Sequence, residues 1–159
     1  MFRTSILSVA AMWFVAGSTP MAVAAPPAAP VHAHPEKGPH GGPLLELGDE
    51  EFHAEVLLDE KAGTLAIYLL DSAAKMAVPV EAKELVINLK HGGKPVQFKL
   101  PAAPLKTDPK GQSSCFVVKS PDLIHNLHHK DHGARMAVKV RGKSYTAKVA
   151  LAHDHDHKH

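Results

Sequence analysis

Histidine offers this chain most of its chemistry: thirteen imidazoles stand against a single cysteine in 159 residues. Imidazole binds zinc, copper and nickel as the neutral ring, so it is competent as a ligand near neutral pH. One group, His125, His128, His129 and His132, is spaced at i, i+3, i+4 and i+7. On a helix these positions form one stripe. Two imidazoles three or four residues apart can chelate one ion, and four can hold one ion or offer alternative pairs. The competing reading is a polar outer face on a helix that packs through Leu123, Ile124 and Leu127.

A second group ends the chain, where His153, His155, His157 and His159 are interspersed with Asp154, Asp156 and Lys158. Such a tract reads compositionally as a flexible multidentate chelator. Without preformed geometry its selectivity should follow intrinsic metal preference, copper(II) above nickel and zinc. Read without a metal, it is a soluble tail that gains charge in acid. The third group is His32, His34 and His40, with His53 and Glu55 on the strand that follows. His53 and Glu55 alternate onto one strand face ~7 Å apart, where they could share a cation with His40. The alternative is that Gly38-Pro39-His40-Gly41-Gly42 is a turn and that His53 and Glu55 lie on a solvated face. His91-Gly92-Gly93 repeats the His-Gly-Gly string inside an expected hairpin, and reads as turn chemistry.

Catalytic patterns are missing from the sequence. It holds no zinc-protease helix pair with an intervening glutamate, no nucleophile elbow and no phosphate-cradling glycine loop. Ser113 and Ser114 have no partner base that the sequence identifies. The expected function is therefore non-enzymatic. A net charge of +2 with scattered lysines and arginines leaves no electrostatic footprint for nucleic acid.

Positioning these groups falls to a chain with four expected segments. Arg3, the apolar run 6–16 and Ala22-Val23-Ala24 have the layout of a secretory signal peptide, residues 1–24. Residues 25–39 are Pro- and Ala-rich and read as a linker. Residues 40–150 form one domain, and 151–159 the histidine-rich tail. The protein should be periplasmic or secreted, without stable membrane insertion after cleavage. Cys115 lies in an apolar run, and a lone thiol in an oxidising compartment has no internal disulfide partner. It reads as a buried structural cysteine.

Within the domain, short aliphatic and β-branched runs alternate with turn residues. Strands are expected at 44–47, 52–58, 64–70, 85–90, 95–100, 115–119, 134–140 and 144–150. Gly48-Asp49, Glu60 to Gly63, His91 to Lys94 and Arg141 to Lys143 supply the turns. Ser120-Pro121-Asp122 carries a cap, a first-position proline and a first-turn acid, which predicts a helix running to Gly133. Seven or eight short strands with one helix make an all-β, antiparallel, Ig-like β-sandwich, with an open barrel as the competing architecture.

The string from Gly38 to Gly48, with Phe52-His53-Ala54-Glu55-Val56 and the run from Leu65 to Asp71, resembles a family of small exported bacterial proteins of unassigned function, of the kind abundant in planctomycetes. The N-terminal third is similar to the periplasmic β-domain of heavy-metal efflux adaptor proteins. The resemblance implies a periplasmic β-sandwich tied to metal homeostasis, with His40 at the motif position. The adaptors' coiled-coil hairpin and barrel domains have no counterpart here, so a pump-bridging role does not transfer. Partners expected on this basis are a divalent copper, nickel or zinc ion and an envelope protein or efflux component. The alternative function is a structural or protein-interaction module of the cell envelope with no physiological metal.

Overall fold

A computed structural model of the protein describes residues 36–129 and 133–149. The expected signal peptide, residues 25–35 of the linker, His32, His34, His132 and the tail histidines His153, His155, His157 and His159 lie outside the described residues. In chain order the elements are β1 (Leu44–Leu47), β2 (Phe52–Asp59), β3 (Thr64–Asp71), β4 (Glu84–His91), β5 (Lys94–Pro101), β6 (Cys115–Lys119), α1 (Pro121–Leu127), β7 (Arg135–Val140) and β8 (Lys143–Lys148). They build two four-stranded antiparallel sheets, ordered β1-β2-β3-β6 and β5-β4-β7-β8. The fold is an all-β sandwich with one short helix.

Period-two alternation decides what each sheet buries. From the first sheet Leu47, Ala54, Val56, Leu65, Ile67, Leu69 and Phe116 face inward; Leu85, Ile87, Leu89, Leu100, Met136 and Val138 meet them from the second. At one side of the sandwich the chain runs from β5 towards β6, where Ala102 bridges Phe116 and the Ala103 N–H donates to the Cys115 carbonyl at 2.9 Å.

The other side is joined by side chains. Glu51, in the β1–β2 turn, accepts from Lys143 Nζ at 2.6 Å and from the Tyr145 hydroxyl. The Phe52 and Tyr145 rings meet edge to face at 5.5 Å. The Lys143 bond foremost, then the Tyr145 bond, holds the Glu51 carboxyl below the usual carboxylate value. A depressed carboxylate contributes stability that is full above its unfolded pKa and is lost as pH falls through its folded pKa. Glu51→Gln should therefore lower the urea midpoint slightly at neutral pH. The gap from the parent should close in acid once Glu51 protonates in the folded chain, and denaturant melts at the two pH values check this.

The helix is shorter than its expected run to Gly133. Ser120 caps it, with Oγ accepting from the Leu123 N–H at 3.2 Å, and Leu123, Ile124 and Leu127 pack inward. No apolar residue follows Leu127 before Gly133 to hold a further turn against the sheets. At the end the His128 N–H is shared between the Ile124 and His125 carbonyls, and the His129 N–H donates to Asn126 O at 3.2 Å. The tightened bonding satisfies carbonyls that a longer helix would have used. Structure also begins ahead of the expected boundary at His40. Lys37 bridges Pro43 and the Leu44 N–H donates to Glu36 O at 3.2 Å, so residues 36–43 form a strap on the first sheet.

Candidate metal centre

Helix α1 crosses from the first sheet to the second at one end of the sandwich. Its start is tied to the β2–β3 turn, because the Ser120 N–H donates to Gly63 O at 2.9 Å. His125, in the last turn of α1, and His129, two residues past its end, then meet on the exposed side. Their rings stand 4.8 Å apart, centroid to centroid, at 87°, and a 3.2 Å hydrogen bond joins their Nε2 atoms. With metal–nitrogen bonds of ~2.1 Å, that separation subtends about 100° at a shared ion. This falls between square-planar and tetrahedral ligand angles.

His128 turns the other way, its Nε2 3.3 Å from Glu60 Oε1 of the β2–β3 turn. Together with Gly63, Lys119, Ile124 and His125 these two residues line a shallow concavity beside the pair. The ring of His91, at the end of β4, lies 6.4 Å from that of His129. His91 belongs to this end of the molecule, although its turn motif concealed it. Strand parity puts His91 on the face of Leu85, Ile87 and Leu89, two residues past the last of them, but carries no signal that this face ends beside His129. Among the described residues, no three His, Cys, Asp or Glu side chains already converge on one metal position.

His40, His53 and Glu55 meet on a different surface. Glu55 and His53 share the outer face of the first sheet, but the strap covers it, leaving Glu55 0% and His53 3% exposed. At these two residues the face is thus internal, against the solvated alternative, while Glu46 opposite His53 stays exposed. Glu55 Oε1 accepts from the His40 N–H at 2.8 Å and the Gly42 N–H at 2.9 Å, while Oε2 lies 2.7 Å from His40 Nδ1. A neutral His40 bonded in this way carries its Nδ1 proton towards Glu55 and leaves Nε2 as the acceptor. The ring, 42% exposed, stacks on Tyr68 at 4.1 Å. His53 instead directs Nδ1 to the Asp71 carbonyl at 3.1 Å. His40 and Glu55 are therefore partners, and Glu55 spends both oxygens on the strap.

Cys115 lies across from Tyr68 in register, 2% exposed and without a disulfide. Burial foremost raises its thiol above the ordinary value, which disfavours the thiolate. The Ser114 hydroxyl donates to Asp108 at 2.8 Å and that of Ser113 to the Cys115 carbonyl at 2.6 Å, so both hold the loop before β6. No helix among the described residues is long and apolar enough to cross a membrane.

The chain matches no protein-family model, no curated protein and no solved structure.

Proposed function

We propose that the protein is an exported, periplasmic or secreted, non-enzymatic binder of a divalent transition metal, which it buffers or passes on through its histidines. The observation that carries this reading is the 3.2 Å approach of His125 Nε2 to His129 Nε2, a cis-ligand separation on an exposed surface. Copper(II) heads the expected preference, with nickel and zinc after it, since imidazole pairs without a closed cage follow intrinsic affinity. The tail histidines add weaker, unspecific capacity. The resemblance of the strap and first strands to efflux-adaptor β-domains supports the same assignment and suggests an envelope or efflux component as recipient.

The test is calorimetric titration of the full chain with copper(II), nickel and zinc. Two variants accompany it: one with His153, His155, His157 and His159 changed to alanine, and one carrying His125→Ala and His129→Ala in addition. The tail-silenced chain should keep one site per molecule and the second variant should lose it. Metal at 100 times Kd should stabilise the tail-silenced chain by about 2.7 kcal/mol. Lowering the pH should release the ion, because protons compete for the same nitrogens. Equal binding by the two variants would sink the reading, and an interaction module of the envelope would take its place.

A further inference from the structure

The histidine pair occupies the end of the sandwich where one hairpin from each sheet reaches the helix. Glu60 of the β2–β3 turn reaches His128, and His91, the last residue of β4, reaches His129. His91 is placed by rigid geometry. It pairs with Lys94 across Gly92-Gly93, two glycines with φ of 55° and 79°, the left-handed conformations a two-residue hairpin turn requires. Nothing lies within 4 Å of a Cβ built on either glycine, so the turn is uncrowded. Parity on β4 keeps His91 on the face that lines the inter-sheet space, at its open end.

We propose that His91 supplies the third imidazole to a divalent ion held by His125 and His129. This inference rests on the reading of that pair as a chelate. Two imidazoles on one tetrahedral ion have ring centroids ~5 Å apart. The His91 and His129 rings, at 6.4 Å and 63°, come within that range by a side-chain rotation at an exposed position, where rotamers exchange in picoseconds to nanoseconds. The ion then fastens the β4–β5 hairpin to α1, and through the Ser120–Gly63 bond to the β2–β3 hairpin of the opposite sheet. Three imidazoles leave a fourth position open to solvent, as in sites that exchange a ligand rather than bury the metal. Such a site suits an ion handed to an acceptor rather than stored.

The experiment compares full-length chains, all with the four tail histidines changed to alanine. Kd for zinc comes from calorimetry, and the number of copper(II)-bound imidazoles from pulsed electron paramagnetic resonance. His91→Ala and His91→Asn should each weaken zinc binding by about tenfold or more and reduce the bound imidazoles from three to two. Both metal-free variants should melt close to the parent, since the side chain is exposed. Unchanged Kd and imidazole count in the His91 variants, with binding lost in His125→Ala/His129→Ala, would overturn this inference and leave the chelate standing. Retained binding in the double variant would remove both.

Discussion

Glu55→Ala should destabilise the folded domain by about 3 kcal/mol and release the strap from the first sheet. The carboxylate is fully buried and joins residues that no hairpin turn connects. Removing it strands the His40 and Gly42 N–H groups and the Nδ1 side of the His40 ring, which have 2.7–2.9 Å bonds in the folded chain. A buried donor left without an acceptor costs about 1–3 kcal/mol, but the strap can swing out and hydrate its donors. The loss should therefore not reach the sum of three such costs. Glu55→Gln keeps an amide oxygen for part of this set and should lose about half as much. Urea melts at neutral pH measure both. Amide exchange at His40 and Gly42 separates local release of the strap from global unfolding.

Gly42→Ala should be about as damaging, roughly 3 kcal/mol, through a steric rather than an electrostatic cause. A Cβ on Gly42 would stand 2.4 Å from the Val56 carbonyl oxygen and 2.9 Å from Leu57 Cδ2. The oxygen is backbone of a paired strand, and the Val56 N–H is itself held by Pro43 O at 3.0 Å, so neither side has room to retreat. Gly41 provides the contrast. Its φ is +86° and no atom lies within 4 Å of a Cβ built there, so Gly41→Ala should lose only the ~1–2 kcal/mol of left-handed backbone strain. Similar losses at the two positions in denaturant melts would mean that the strap is not pressed against β2 as described.

The two experiments explain why a Gly-Pro-His-Gly-Gly string precedes the first strand. Its first glycine admits Glu55 at a distance no side chain tolerates, since a Cβ on Gly38 would lie 2.4 Å from the Glu55 carboxyl carbon. The histidine caps that carboxylate with its backbone and its ring, and the last glycine lets the chain press against β2. The half-exposed ring of His40 is held in place by Glu55 and Tyr68. It stands apart from the His125–His129 pair as a separate candidate ligand.

Local signals made the frame of this protein legible. Turn residues marked the hairpins, and the Ser120-Pro121-Asp122 start marked α1. Period-two alternation put His53 and Glu55 together on one strand face. Each of these depends on neighbours a few residues apart, whose conformational preferences act before any long-range contact forms. Helix length was less legible, because it ends where packing against the sheets ends, and that limit is set by residues far away in sequence.

Composition and spacing by themselves determined that this is a histidine-rich all-β chain and pointed to a group of histidines at the end of its helix. Only the tertiary structure decided that Glu55, on the outer face of the first sheet, is buried, because a strap must fold back over it to make it so. Only the tertiary structure brought His91 to the helix, across residues that share no local pattern. Alternation assigns a side chain to a face of its strand, but what stands opposite that face depends on how the two sheets and the crossover helix pack.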